Sequence, residues 1–156
     1  MKKSLIILSL FVLTIFVNAQ YSIPQKKKIP ESVKIITIFV GSIALDAIGD
    51  ALYDNGNKFG GHAFSAAATG LLIASPFILN VDKRKWPLYF ASYIGFRIAL
   101  FDPIYNTTRG LPVGYIGDTS YWDKGLQEFN PPTGIQMFGR AVIFTFAITM
   151  TIKEFK

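Results

Sequence analysis

Residues 33–53 read VKIITIFVGSIALDAIGDALY, an apolar run that is long enough to form a membrane-spanning helix. Polar side chains interrupt this run at steps of four, at Ser42, Asp46 and Asp50, and Asp54 follows directly after it. Each step of four rotates a side chain on an α-helix by only about 40°. The run therefore predicts a helix with a stripe of carboxylates on one face and an apolar surface on the opposite face.

Three further apolar stretches follow along the chain, at residues 62–81, 86–101 and 136–152. The stretch at 86–101 is marginal for a membrane span, which takes about 20 residues. Hydrophobic residues make up 51% of the 156 residues and charged residues only 17%, whereas soluble domains have about 25% charged residues. We therefore expect an all-α fold, a small integral membrane helical bundle with three or four embedded helices.

The N-terminus has the pattern of an export signal. Lys2 and Lys3 precede an apolar stretch at 5–17, and Ala19 ends a small-residue cleavage sequence. The apolar stretch is short for a span, which favours a cleaved signal peptide over an uncleaved anchor. The expected organisation is a signal peptide at 1–19, a polar linker at 20–32 and a single membrane helical domain at 33–156. Within that domain, Gly, Pro and aromatic residues predict a long ordered loop at 102–135.

Composition also narrows the possible chemistry and partners. The chain has no cysteine, which excludes disulfides and thiolate metal sites, and its single histidine is His62. The net charge of +6 is concentrated in basic clusters at 26–28 and 83–85. Both clusters flank apolar runs, where Lys and Arg set the topology or contact lipid headgroups. We therefore expect membrane lipids, and other membrane proteins, as partners, and we do not expect nucleic acid.

The charges of the connections predict an orientation in the bacterial cytoplasmic (inner) membrane. The connection at 82–85 and the C-terminus are positive, whereas the loop at 102–135 is negative. The positive-inside rule therefore places that loop on the outer side. A cleaved signal peptide, however, starts the mature chain outside. Both expectations agree if residues 33–53 lie at the interface and three helices span; a bundle of four spanning helices is the alternative.

The ionisable residues of the apolar runs are expected near one end of the bundle. Charged groups at membrane depth usually pair with one another or face an aqueous cavity. We expect Asp50 or Asp54 to pair with Arg97 or Arg140, with His62 beside them. The whole candidate polar cluster is Asp46, Asp50, Asp54, His62, Arg97, Asp102 and Arg140.

If these residues lie at membrane depth and are not simply solvated at the end of the bundle, two interpretations of this cluster remain open. The first is a structural network of ion pairs that holds the helices together and needs no cofactor. The second is a site in which Asp46, Asp50, Asp54 and His62 hold a divalent cation. Arginines beside such a cation would suit a phosphate, such as that of a lipid headgroup.

Three short stretches carry a resemblance to other sequences. They are FDPIYN at 101–106, YIGDTSYWDK at 115–124, and the stretch at 50–62. Together they resemble a set of small bacterial membrane proteins with no assigned activity, over roughly residues 46–152. The resemblance implies a membrane helical class and no particular reaction. Physically, Asp102-Pro103 predicts the end of the third helix, because proline lacks an N–H and disfavours a helical residue before it.

The predicted function is that of a non-catalytic membrane component, which associates with partner helices or with a larger membrane assembly. The basis is a run of small residues, Ser65 to Gly70, that would let another helix approach closely in lipid. The alternative is a membrane-embedded enzyme that depends on a metal or a lipid headgroup. It would use Asp46, Asp50, Asp54 and His62.

Overall fold

A computed structural model describes residues 28–117, 124–125, 128–129 and 131–156. This part of the chain contains four α-helices and no strand. They are α1 (Glu31–Asp54), α2 (Lys58–Ile78), α3 (Trp86–Arg109) and α4 (Thr133–Glu154), with a short 3-10 turn at Lys83–Lys85 before α3. The all-α helical bundle is thus confirmed. The signal peptide at 1–19, most of the linker and part of the 102–135 loop lie outside the described residues.

Helices α1 and α2 form a hairpin whose turn follows from local sequence. Helix α1 ends at Asp54, and Gly56 then adopts φ +88°, a backbone conformation that glycine takes without steric cost. Asn57 begins α2 as its N-cap, because its side-chain oxygen accepts a 3.0 Å hydrogen bond from the Gly60 N–H. The short turn makes α1 and α2 antiparallel neighbours.

The buried face of α1 forms the centre of the bundle. Its fully buried apolar side chains recur every four residues, at Ile35, Phe39, Ile43, Ala47 and Ala51. Such spacing places them on one face of a helix. Helix α1 packs against α2 on one side and α3 on another, whereas α4 packs chiefly against α3. The helices therefore follow the order α2, α1, α3, α4 across the bundle.

Aromatic rings fill the interface between α1 and α3. The ring centroid of Phe39 lies 4.7 Å from that of Tyr89, 5.6 Å from that of Tyr93 and 5.7 Å from that of Phe96. The Tyr89 hydroxyl also reaches the Ser75 hydroxyl of α2 at 2.6 Å. This buried hydrogen bond satisfies the Tyr89 hydroxyl. Tyr89 of α3 thereby contacts both α1, through Phe39, and α2, through Ser75.

Three of the helices, α1, α2 and α4, are long and apolar enough to cross a membrane. Residues 33–53 belong to a continuous helix at the centre of the bundle, and their expected position at the membrane interface stays a prediction. Helix α3 has a suitable length of 24 residues but a more polar composition. Helix α3 packs between α1 and α4. The choice between three and four embedded helices stays a prediction.

The third helix does not end at Asp102-Pro103, as the sequence had led us to expect. It continues through Pro103 to Arg109, so the connection to α4 spans 110–132 instead of 102–135. The turn after the proline is supported by Thr107, whose hydroxyl donates a 2.7 Å hydrogen bond to the Pro103 carbonyl. Gly110 is the residue that stops the helix. It adopts φ +74°, and the N–H groups of Gly110 and Leu111 bond the last carbonyls as in a Schellman motif.

Candidate polar site

The first ion pair of the polar cluster joins α1 to α3. Arg97 of α3 donates a hydrogen bond to the Asp46 carboxylate of α1. The same guanidinium lies over the Phe101 ring, with its carbon 4.2 Å from the ring centroid. A planar cation can satisfy a carboxylate at its edge and stack on an aromatic ring with its face. Arg97 thus enters the bundle without an unpaired charge.

A second group of side chains joins the same two helices near their C-terminal ends. Tyr105 donates a hydrogen bond to Asp54, and Arg109 donates one of 2.7 Å to the Tyr105 hydroxyl. Arg109 also lies 3.5 Å from the Asp54 carboxylate. The carboxylate that ends α1 is therefore held by a phenol and a guanidinium from one face of α3.

The third ion pair joins α3 to α4. Arg140 donates one hydrogen bond to the Asp102 carboxylate and another, of 2.6 Å, to the backbone carbonyl of Ile98. Its side chain is only 14% exposed. Proline has no N–H, so Pro103 cannot donate the helical hydrogen bond to the carbonyl of Ala99, the residue after Ile98. This part of α3 therefore lacks one helical hydrogen bond. The guanidinium therefore packs against the backbone of the helix beside its proline.

A common register explains which residues meet between α1 and α3. Arg97 lies 51 positions beyond Asp46, and Tyr105 lies 51 positions beyond Asp54. A constant offset means that the two helices run parallel with their stripes in register. The same offset assigns the position opposite Asp50 to Phe101, an apolar residue. Asp50 consequently forms no ion pair with α3 in the structure, whose ion pairs across α1 and α3 involve Asp46 and Asp54.

The prediction that Asp50 or Asp54 pairs with Arg97 or Arg140 is therefore wrong, because both arginines pair with other carboxylates. Among the described residues, Arg97 pairs with Asp46 and Arg140 pairs with Asp102. The spacing of the stripe does not give the register of the facing helix, and that register decides the pairing. The sequence had correctly indicated that arginines and carboxylates of different helices would meet.

His62 lies beside an aromatic residue and not beside the arginines. Its ring centroid is 5.3 Å from that of Tyr53 in an edge-to-face arrangement, and its side chain is exposed. Across the ranges that the structure describes, no three His, Asp or Glu side chains converge as metal ligands would. The carboxylate stripe and His62, which we expected as alternative ligands of a divalent cation, are thus not assembled into such a group. Asp46 and Asp54 instead bind groups of α3.

Two members of the network, Tyr105 and Arg109, were missed in the sequence. A signal for them exists: Arg97, Phe101, Tyr105 and Arg109 recur every four residues on α3. This spacing matches the carboxylate stripe of α1. It was obscured because Pro103 suggested that the helix had ended before either residue.

Comparison with protein families, with curated proteins and with solved structures finds no match to this chain. The function is therefore argued from the packing of its helices and from the surfaces that this packing leaves uncovered.

Proposed function

We propose that the protein is a non-catalytic integral membrane component that binds a transmembrane helix of another protein through the outward face of α2. The observation that carries this proposal is that only one face of α2 is packed inside the bundle. One face, with Gly61, Ala68 and Ser75, is buried, and α2 packs chiefly against α1. The opposite face is a stripe of exposed small residues, Ala63, Ala66, Ala67, Gly70 and Ala74.

The spacing of this small-residue stripe suits helix association. Its members lie at steps of three and four, which keeps them on one side of a helix. In lipid, helices associate through close van der Waals packing, and small residues permit the backbones to approach. Phe59 and Phe77 border the stripe and are 86% and 60% exposed. A partner helix would therefore find a shallow groove with an aromatic ring near each end.

The ion pairs support a structural role for the charged residues. Arg97, Arg109 and Arg140 each lie within ion-pair distance of a carboxylate on a neighbouring helix. An unpaired arginine at the centre of a membrane helix costs at least about 2.5–3.5 kcal/mol. Pairing removes that cost and holds α1, α3 and α4 in register. These charges thus contribute to the assembly of the bundle, in keeping with a non-catalytic protein.

We further propose that all four helices cross the bacterial inner membrane, with one strongly basic end in the cytoplasm. This basic end is where α1 and α3 begin and α2 and α4 end. The positive-inside rule favours that orientation. It leaves the α1–α2 turn and the connection at 110–132 on the outer side. The end is defined by Lys28, Lys34, Lys83, Arg84, Lys85, Lys153 and Lys156.

Reporter fusions test this orientation. A reporter attached after Lys156 should be active in the cytoplasm, because the C-terminus belongs to the basic end. A reporter inserted at Gly110 should report the exterior, since it follows α3 at the opposite end. Finding Lys156 outside, or both sites on one side, would contradict the orientation.

The same fusions separate this proposal from the cleaved signal peptide predicted at 1–19. If that segment were removed during export, the mature chain would begin outside. Four crossings would then return the C-terminus to the exterior. A cytoplasmic signal at Lys156 therefore supports the orientation and, if a further reporter at Lys28 is also cytoplasmic, speaks against cleavage after Ala19. An exterior signal at Lys28 with a cytoplasmic Lys156 would instead support cleavage and three spanning helices, whereas an exterior signal at Lys156 reverses the orientation.

Crosslinking tests the proposed docking face of α2. The chain has no cysteine, so a single cysteine at Ala67 reports contacts of the small-residue stripe in native membranes. We expect one discrete adduct with a different protein. Gly70→Leu should abolish it, because its side chain fills the groove. The bundle itself should stay folded, since apart from the adjoining backbone of α2 nothing lies within 4 Å of the position of an added Cβ.

A cysteine at Val142 provides the matched control. This residue lies on the exposed face of α4 and should not yield the same adduct. The proposal fails if Ala67→Cys gives no adduct, if the adduct is a second copy of this chain, or if Gly70→Leu leaves the adduct unchanged.

A further inference from the structure

We propose that the basic end of the bundle binds the headgroups of anionic phospholipids, independently of any protein partner on α2. The first observation is charge balance within the described residues. This end carries seven Lys or Arg side chains against three carboxylates, Glu31, Asp82 and Glu154, a net charge of +4. Most of the seven are exposed, and Lys85 is half-buried.

The second observation is that packing brings these bases to one level of the bundle, although they come from distant parts of the chain. Lys85 donates a hydrogen bond to the backbone carbonyl of Glu154, which joins the start of α3 to the end of α4. The same ammonium lies 5.5 Å from the Phe155 ring centroid. Trp86 and Phe77, at the ends of α3 and α2, have ring centroids 5.1 Å apart. The basic residues therefore surround one end of a packed bundle.

The third observation is that these basic side chains form no salt bridges within the described residues. In the part of the chain that the structure describes, all three ion pairs involve Asp46, Asp54 and Asp102, which lie toward the opposite end. Asp82, the carboxylate nearest to Lys83 and Arg84 in sequence, instead caps the turn by accepting a 2.9 Å hydrogen bond from the Arg84 N–H. The positive charge of the basic end thus remains available to an external anion.

The position of Trp86 indicates which anion this is. Tryptophan side chains concentrate at the headgroup level, where an apolar ring meets a polar environment. Trp86 is partly buried, and its indole N–H donates a 3.1 Å hydrogen bond to the Val81 carbonyl. It adjoins Lys83, Arg84 and Lys85 in sequence. The bases therefore ring the apolar helices at headgroup depth, where the phosphate of an anionic lipid lies.

The effect should be large enough to measure. Each Lys or Arg near an anionic membrane surface strengthens the attraction by about fivefold, and the attraction weakens within a Debye length. Neutralising two exposed bases should therefore weaken the preference for anionic lipid by at least several-fold, and by roughly 25-fold if both act fully. Raising the salt concentration should reduce the preference of the unchanged protein as well.

Trp86 itself supplies the measurement. The chain has two tryptophans, so Trp122→Phe leaves Trp86 as the single tryptophan probe. The full chain is reconstituted into phosphatidylcholine vesicles with an equal fraction of brominated phosphatidylglycerol or brominated phosphatidylcholine. We expect the brominated phosphatidylglycerol to quench Trp86 more strongly at low salt, with less difference at high salt.

Three variants make the test specific. K83Q/R84Q should lose most of the preference, whereas K83R/R84K keeps both charges and should retain it. Lys58→Gln removes an exposed base from the opposite end and should change nothing. Circular dichroism and gel filtration confirm that each variant is folded.

Equal quenching by the two brominated lipids would overturn the proposal, and so would an unchanged preference in K83Q/R84Q. The vesicles contain no other protein, so the result stands apart from the proposed docking of a partner helix on α2.

Discussion

Replacing Arg97 with leucine is expected to lower the free energy of unfolding by roughly 3 kcal/mol, because it leaves the Asp46 carboxylate without its cation. Asp46 is only 20% exposed and lies within an apolar helix. Removing one partner of a part-buried pair within an apolar helix costs more than the pair itself contributes, since the remaining charge stays partly desolvated. Arg97→Lys should cost less, although lysine cannot reproduce the stacking of a planar guanidinium on Phe101.

A double-mutant cycle separates the pair from the packing around it. Asp46→Leu combined with Arg97→Leu removes both charges and should recover much of the stability lost in the single variant. Unfolding is followed by circular dichroism as SDS is added to the protein in a mild detergent. Lys153→Leu, an exposed base that forms no salt bridge within the described residues, is the matched control and should be near neutral. If Arg97→Leu is as stable as the original protein, the pair has no structural role.

This cycle also distinguishes the two interpretations of the carboxylate stripe. A network of ion pairs predicts that removing both charges restores stability, because neither group is then left unpaired. A cation site predicts that Asp46 depends on its neighbours Asp50 and Asp54, so losing Arg97 as well would bring no recovery. The arrangement of Arg97 beside Asp46 favours the first outcome.

The helices themselves could be predicted from the sequence, since each apolar run corresponds to one of them. The polar stripe of α1 was also predictable, because a period of four fixes which residues share a helical face. Such a pattern specifies a face but not its partner. The pairing of Asp46 with Arg97 depends on the offset of 51 between α1 and α3, which is set where Phe39 packs against Tyr89 and Phe96.

The end of α3 could not be predicted, because two local signals oppose each other there. Pro103 disfavours a helical residue before it, whereas Gly110 is a strong stop signal one and a half to two turns later. In the structure the glycine ends the helix, and Thr107 and Thr108 support its last turns through hydroxyl bonds to the backbone. This extension brings Tyr105 and Arg109 to Asp54. The longer helix therefore completes the polar network.

The second large effect is expected where α1 and α2 approach most closely. A Cβ added to Gly61 would lie 2.7 Å from the Tyr53 Cβ and 3.0 Å from the Gly49 carbonyl oxygen. Neither atom can rotate away, because one is a backbone atom and the other is fixed to the backbone. Gly61→Ala must therefore push the two helices apart, which should cost about 1–3 kcal/mol. Gly61→Leu should cost more.

Gly70→Ala is the matched control on the same helix. Nothing lies within 4 Å of its added Cβ, and alanine favours a helix over glycine by about 1 kcal/mol. The two substitutions are chemically identical, but their expected effects differ. Gly61→Ala should lower the SDS unfolding midpoint, whereas Gly70→Ala should raise it or leave it unchanged. Equal shifts would mean that the α1–α2 interface is looser than this packing implies. A selective loss at Gly61 would show that small residues on the inner face of α2 set the spacing of the hairpin, which leaves the outer small-residue stripe free to receive another helix.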